Sequence, residues 1–410
     1  MIQSIFISMP MFVCVFWALM LFLDGRTNGD PAKKMLCVFM SVATFLYLGH
    51  GFYFNRNLDV LPFTDTIYVL CNLAVFPLFY IYIEEMTEGK RNRGKRLLYL
   101  LPAILTSVVV AFFYIRMNHE ESLLFIQNYL YHNESDVLTE GASMQASVHT
   151  FAKVIFSIQI APMLFFGIRK INRYNRHVCG YYADTEDKTL TPFKHLLVLF
   201  FVISLISFVC NVIGRYRFVD STTLLAIPSV TFSILLFCLG YIGYKQYFNV
   251  VNLKMEMGEQ QPGDEWVRDE GVATARTNLS TSSVSVDDEG DLESNSVLNR
   301  REQTNIRIIS TIKEEKLFLR HNLKISDIAS FLHTNRDYIY HAINVEIGMS
   351  FSDFINQQRV EYAQQMIKEN PEQLLYEVAT NSGFSSNVTF YRCFKQFTGC
   401  SPKEYKEQLQ

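Results

Sequence analysis

The side chains whose types and spacing suggest chemistry lie near the C-terminus, where Asn387, Tyr391, Arg392 and Lys395 fall on the outer side of one amphipathic helical segment. An Asn amide can form two hydrogen bonds with an adenine edge, and Arg or Lys can bind a guanine edge or a phosphate. This set therefore favours binding to nucleic acid over catalysis. The sequence shows no Gly-rich phosphate loop and no Ser/His/Asp or Cys/His set that would indicate an enzyme.

The residues around this set predict a helix-turn-helix motif. Gly383 suits the left-handed turn that ends one helix, and Ser385 or Ser386 can cap the next one. In the second helix Phe390 and Phe394 lie on one side at i, i+4, and the polar, partly basic residues point elsewhere. A helical hairpin of an ordinary α-helical domain has the same pattern, so this stretch alone leaves both interpretations open.

A second copy of the pattern lies upstream. Residues 325–332 predict a short helix, His333 and Thr334 a turn, and residues 335–343 a second helix capped by Thr334 or Asn335. A longer helix then begins at a capping pair, Ser350 and Asp353, and runs to about Lys368, before Asn370-Pro371. Its predicted inner stripe is Phe351, Phe354, Ile355, Tyr362 and Met366. Two such motifs joined by one stiff helix would hold two recognition helices at the fixed separation that two neighbouring major-groove segments require.

The order of these motifs resembles the DNA-binding domain of AraC/XylS-type bacterial transcription regulators. The resemblance rests on N-R-D-Y-I, G-M-S-F-S-D-F-I, G-F-S-S and S-P-K-E-Y and covers about Ile306 to Gln410, roughly a quarter of the chain. It implies DNA contacts on the exposed faces of both recognition helices. By position these contacts fall on Arg336, Asp337, Tyr340, His341, Asn387, Val388, Tyr391, Arg392 and Lys395. The first motif departs from the family's usual pattern at Asp337, Tyr340 and His341, so the resemblance predicts its fold but not its base preference.

Charge is segregated along the 410 residues, although the formal net charge is only −3. Residues 250–299 carry −8, against +4 over residues 1–249 and +1 over residues 300–410. Because the C-terminal region is not basic overall, its affinity for DNA must come from local placement of Lys and Arg. The eight Cys form no C-x-x-C pair or Cys/His cluster, so neither a metal nor another cofactor is expected.

The first 248 residues predict a membrane domain, because seven apolar runs each approach the length that spans a bilayer. The runs are about 5–23, 35–54, 65–83, 97–115, 151–168, 195–214 and 222–244. Three of the segments between runs hold 14 Lys and Arg, and the alternate segments hold four. Since basic residues stay in the cytoplasm, the N-terminus is expected outside and the C-terminus inside.

Several polar features of this half have two interpretations. His50, Asn72, Lys153, Gln159 and Asn211 lie in or near the spans and either line a sensor pocket or hydrogen-bond neighbouring helices. The segment 116–150 is either a lid over an outward-facing pocket or a plain connector. Glu84 and Glu85, beside a basic cluster that runs from Lys90 to Arg96, are expected to form surface ion pairs.

Together these patterns predict an all-α protein with a seven-helix transmembrane bundle (1–248), a disordered acidic tether (249–305) and a tandem helix-turn-helix domain (306–410). The expected function is that of a one-component transcription regulator, multi-pass in the bacterial inner membrane with its C-terminal domain in the cytoplasm. The expected partners are promoter DNA, the lipid bilayer, RNA polymerase, an unknown small-molecule or membrane signal, and a second copy of the chain. The alternatives are a transporter or membrane enzyme with a fused autoregulatory DNA-binding domain, and a membrane scaffold whose helix-turn-helix domain binds protein.

Overall fold

The computed structural model describes residues 2–89, 93–213, 222–257 and 306–409. The described residues form helices and turns, with one isolated β-bridge between Tyr182 and Lys324, which confirms the predicted all-α class. Most of the predicted acidic tether, residues 258–305, lies outside the described residues.

The described helices follow the predicted order. Up to residue 257 they are α1 (Ile2–Asn28), α2 (Pro31–Phe54), α3 (Leu61–Thr87), α4 (Arg93–Leu97), α5 (Leu101–Arg116), α6 (His119–Leu124), α7 (Glu140–Tyr181), α8 (Thr191–Ile213), α9 (Thr222–Lys245) and α10 (Val250–Met257). After residue 305 they are α11 (306–314), α12 (Ile325–Phe331), α13 (Arg336–Tyr340), α14 (Phe351–Glu369), α15 (Leu375–Asn381), α16 (Asn387–Thr398) and α17 (Pro402–Glu407). Short 3₁₀ turns cover Leu98–Leu100 and Leu317–Leu319, and π-turns cover Phe125–Leu130 and His341–Glu346.

The chain divides into two compact units. Unit 1 comprises Met1–Arg173 and Leu190–Asn252, and unit 2 comprises Tyr174–Thr189 and Leu253–Gln410. The 42-residue helix α7 contributes its last turns to unit 2. The C-terminal unit therefore includes a short segment that sequence analysis assigned to the membrane domain.

Unit 1 consists of long apolar helices. Six of its helices (α1, α2, α3, α5, α7 and α9) are long and apolar enough to cross a membrane, and α8 contains a shorter described apolar stretch, Thr191–Val202. Six of the seven predicted spans overlap these six helices, and the seventh, 195–214, overlaps α8. Helix α3 is the central one, because 78% of its most apolar window is buried, against 17–33% in the other five.

Close helix contacts in unit 1 occur at glycines. Helix α9 packs on α1 and α2, and α3 packs on α2 and α5. A Cβ added to Gly240 would lie 2.3 Å from the Trp17 ring, and one added to Gly243 would lie 2.1 Å from Leu36. Small residues allow such approach between apolar helices, so dispersion contacts can form along their whole length.

One set of buried polar side chains in unit 1 forms a hydrogen-bonded cluster. The carboxylate of Asp65 accepts hydrogen bonds from Tyr114 Oη (2.9 Å) and His149 Nε2 (2.7 Å), and all three side chains are buried. Sequence analysis did not single out this cluster, because its members come from three distant runs. Buried charge in an apolar bundle is costly without such partners, so the cluster joins α3, α5 and α7.

The expected ion pairs of Glu84 and Glu85 are present, but they do not lie on the surface. Glu85 pairs with Arg96, and Glu84 lies 3.3 Å from Lys170 Nζ, yet both carboxylates are buried. The prediction of a surface location was wrong because sequence analysis did not include Lys170 of α7, which covers this end of α3.

Candidate nucleic-acid interface

The second helix-turn-helix motif is built from α15 and α16. Gly383 adopts a φ of +88° in the turn, and a Cβ there would lie 2.8 Å from the backbone of Leu319, so glycine is required for both reasons. Ser386 caps α16, since its Oγ accepts the backbone N–H of Thr389 at 3.2 Å. Phe390 and Phe394 are fully buried, as predicted from their spacing.

The opposite face of α16 is exposed. The five residues that sequence analysis assigned to DNA contact on this helix are all exposed, namely Asn387, Val388, Tyr391, Arg392 and Lys395. They include two cations, one amide and one phenol. Such a face can bind phosphates and base edges, and the buried aromatic side chains behind it hold the helix in place.

The first motif is built from α12 and α13. His333 adopts a left-handed φ of +49° in the turn, and Asn335 caps α13 by accepting the N–H of Asp337 at 3.2 Å. The predicted helix 335–343 is present, but it widens into the π-turn His341–Glu346 after Tyr340. Asp337 and His341 are exposed, whereas Arg336 and Tyr340 are partly buried.

Helix α14 links the two motifs over nearly the predicted range. Ser350 caps it by accepting the N–H of Asp353 at 3.1 Å. Of the predicted inner stripe, Phe351, Phe354 and Ile355 are buried, whereas Tyr362 and Met366 are only partly buried. Sequence analysis missed Arg359, which is the largest fully buried side chain of the described residues.

This geometry agrees with comparisons to known proteins. Residues 328–408 match a family model described as a helix-turn-helix domain. The C-terminal region is a helix-turn-helix domain of the AraC type. No solved structure matches the chain.

Two similar proteins each match less than a quarter of the chain. The chain is 30% identical over 89 residues to the Msm operon regulatory protein of Streptococcus mutans, and this region covers 22% of the chain and 32% of the relative. It is 28% identical over 91 residues to an uncharacterized HTH-type transcriptional regulator of Staphylococcus aureus, where it covers 22% of the chain and 12% of the relative. The chain thus spans at most about a third of the length of these two relatives.

Arg359 lies at the centre of the helix-turn-helix domain. Its Nε donates to the carbonyl of Phe318 at 2.8 Å, its Nη2 donates to the carbonyl of Arg320 at 2.9 Å, and its Nη1 donates to Asp184 Oδ1 at 2.9 Å. A buried guanidinium requires such a complete set of acceptors. The anion that neutralises it, Asp184, comes from the segment between α7 and α8.

The neighbours of Asp184 are also bonded to the domain. The N–H of Ala183 donates to the carbonyl of Leu323 at 2.9 Å, and the carbonyl of Ala183 accepts the Ser352 hydroxyl at 2.8 Å. Asn322 N–H donates to Asp184 Oδ2 at 2.8 Å. Sequence analysis treated this segment as one of the three basic segments between the apolar runs. The sequence feature that could have indicated its contact with the domain is Asp184, an acidic residue that follows two tyrosines in that segment.

A second network joins Glu256 of α10 to the same domain. Glu256 Oε2 accepts from Lys324 Nζ at 2.5 Å and from Tyr182 Oη at 2.6 Å. Burial acts to raise the pKa of Glu256, but the bonds from Lys324 and Tyr182 outweigh it and lower that pKa. The bond to Glu256 raises the pKa of Lys324. Both groups are therefore charged at neutral pH, and the pair attaches residues 253–257 to the domain.

Proposed function

We propose that this protein is a membrane-anchored, one-component transcription regulator that binds promoter DNA in a sequence-specific manner. The observation that carries the proposal is the pair of helix-turn-helix motifs joined by one helix, with exposed polar faces on the recognition helices. The names of the two relatives, an operon regulatory protein and an HTH-type transcriptional regulator, support the same conclusion.

The nine predicted contact residues have distinct proposed roles. Arg392 and Lys395 bind phosphates or a guanine edge, and Asn387 binds an adenine edge. Val388 and Tyr391 are suited to apolar contacts with bases, such as the thymine methyl group. In the first motif, His341 and Tyr340 contact bases, Arg336 contacts the backbone, and acidic Asp337 is suited to accept a hydrogen bond from cytosine N4.

The apolar helices of unit 1 anchor the protein in the inner membrane and sense a signal there. The distribution of Lys and Arg between the spans supports an outside N-terminus and a cytoplasmic C-terminal domain, where the chromosome is accessible. We place residues 1–248 in the membrane domain, residues 249–305 in the linker and residues 306–410 in the DNA-binding domain. RNA polymerase and a second copy of the chain are the further proposed partners.

The test measures DNA binding by the full-length chain in lipid nanodiscs, with genomic fragments selected by the protein and scrambled competitors. Arg392→Ala should weaken specific binding about tenfold, because it removes a base-edge or phosphate contact. Lys368→Ala is the matched control, since Lys368 is also exposed but lies at the far end of α14. A wild-type protein without sequence preference at any salt concentration would refute the proposal.

A further inference from the structure

The segment Tyr174–Thr189, here termed the docking segment, contacts both recognition helices. Near its start, a Cβ added to Gly180 would lie 3.0 Å from Tyr340 Cε2 and 3.6 Å from Asn344 Oδ1. Tyr340 and Asn344 are four residues apart and therefore share one face of the first recognition helix. Tyr340 is also one of the predicted DNA contacts, so the docking segment lies on the DNA-binding face of this helix.

At its other end, the docking segment reaches the second recognition helix. Glu186 Oε2 accepts a hydrogen bond from Ser386 Oγ at 3.0 Å, and Ser386 is the N-cap of α16. The N-terminus of a recognition helix is a position where DNA phosphates bind, because its N–H groups and dipole favour an anion. The Glu186 carboxylate therefore occupies a position that a phosphate would take in a DNA complex.

Cys179, next to Gly180, lies within electrostatic reach of Arg392. Burial and the Asp353 carboxylate raise the pKa of Cys179 to about 11, and the Arg392 guanidinium acts in the opposite direction. In addition, Arg336 of the first motif donates a hydrogen bond to the carbonyl of Met257, in the short helix after α9.

The docking segment is held by a specific bond. Asp184 and Arg359 are both buried, and their 2.9 Å hydrogen bond joins the segment to the helix that sets the spacing of the two motifs. Removal of one member of a buried ion pair is strongly unfavourable, because the remaining charge loses its partner. Loss of one member of this pair should therefore disturb the docked conformation much more than loss of one member of an exposed pair would.

We propose that the docking segment is an autoinhibitory element that covers the DNA-binding surface and is held there by the Asp184–Arg359 pair. This inference rests on the proposed function, since it assigns the regulation of the same surface. DNA and the docking segment compete for Tyr340 and the N-terminus of α16. The segment connects α7 to α8 along the chain, so a signal that displaces these helices withdraws it and exposes the domain. Because the segment is part of the same chain, its high effective concentration keeps the domain covered without a signal.

The first experiment compares DNA affinity in the full-length protein in nanodiscs. Asp184→Asn removes the charge that neutralises Arg359 and should tighten specific DNA binding by about tenfold, because a larger fraction of the molecules has the surface uncovered. Asp187→Asn is the matched control, since Asp187 is an exposed carboxylate of the same loop and its removal changes the net charge equally. Equal affinity for both variants, or weaker binding by Asp184→Asn, would overturn the inference.

A second variant separates loss of docking from loss of folding. Gly180→Leu places a side chain against Tyr340 without altering any residue of the helix-turn-helix domain, and it should tighten DNA binding in the same direction. Hydrogen exchange provides an independent measurement in the wild type. The amide of Ala183, bonded to Leu323, should lose protection when saturating DNA is added, because DNA displaces the segment. Unchanged or increased protection of this amide would contradict competition.

These outcomes are distinct from failure of the proposed function. If the protein does not bind DNA specifically, then neither the wild type nor any variant shows a sequence preference. If only the inference fails, the wild type binds its DNA with preference and Arg392→Ala weakens binding, but Asp184→Asn and Gly180→Leu do not tighten it.

Discussion

The two helix-turn-helix motifs have the same plan but differ in their recognition helices. The second one, α16, is a regular helix of 12 residues whose five predicted contact residues are all exposed. The first one has five regular residues before a π-turn, and Arg336 and Tyr340 are partly buried. The difference teaches that the second motif presents a preformed set of proposed contact residues and meets the docking segment only at its N-cap, Ser386. The first motif must lose contacts with the docking segment and residue 257 before its whole face is accessible.

The largest loss of unfolding free energy is expected for a substitution in the aromatic core behind the second recognition helix. Phe390→Ala should lower the free energy of unfolding of unit 2 by about 4 kcal/mol, because it leaves a large cavity beside Phe394. Ile343→Val in the first motif should cost only about 1 kcal/mol, since it removes a single methylene. Hydrogen exchange of the most protected amides of α14 measures both values. Equal losses would mean that Phe390 is not packed as described.

The turn glycines provide the next comparison. Gly383→Ala should cost about 3 kcal/mol, because it combines a left-handed φ with a Cβ that would lie 2.8 Å from the Leu319 backbone. Gly348→Ala at the end of the first motif should cost about 1 kcal/mol, since its φ is also left-handed, at +75°, but no atom lies within 4 Å of the added Cβ. Hydrogen exchange of the most protected α14 amides again measures the loss of unfolding free energy. A smaller loss for Gly383→Ala than for Gly348→Ala would contradict the close approach of the Leu319 backbone to Gly383.

The smallest expected effect is the pH dependence of the Glu256–Lys324 pair. The depressed pKa of Glu256 means that its stabilisation is present above pH 4.5 and is lost as the pH falls through the lower folded value. The raised pKa of Lys324 means that its stabilisation is present below pH 10.5 and is lost as the pH rises through the folded value. The stability difference between wild type and Glu256→Gln should therefore be constant between about pH 6 and 9 and vanish in acid.

The measurement is chemical denaturation of both proteins from about pH 3 to about pH 9, which includes the acid range where the difference should vanish. Glu404→Gln serves as the control, because Glu404 also has a lowered pKa but owes it to the capping bonds from Ser401 at the start of α17. A difference for Glu256→Gln that persists unchanged at pH 3 would exclude the ion pair as its origin.

Much of unit 2 follows from local sequence patterns. The turn at Gly383, the cap at Ser350 and the burial of Phe390 and Phe394 were predicted and are present. For the two recognition helices, sequence analysis left two caps open in each case, and the structure has Ser386 and Asn335. Each depends on interactions within one or two helical turns, where spacing and residue type determine the outcome. The exposure of the five residues of α16 that are predicted to contact DNA follows from the same amphipathic pattern.

Other features of the molecule depend on contacts between distant parts of the chain. The buried location of Arg359 was missed, because an Arg in a polar helix is normally exposed and its carboxylate partner lies 175 residues away. The π-turn after Tyr340 was also missed, since no local pattern of residues indicates that widening. The buried cluster of Asp65, Tyr114 and His149 is a further case, in which three helices contribute one polar group each.

By itself, the sequence determined the all-α class, the positions of the apolar helices and the two helix-turn-helix motifs, since periodicity and capping operate over short distances. Only the tertiary structure decided which unit each segment belongs to. It placed Tyr182, Ala183 and Asp184 within the helix-turn-helix domain. The physical reason is that the buried guanidinium of Arg359 on α14 is neutralised by Asp184, a carboxylate 175 residues away that no local pattern could indicate.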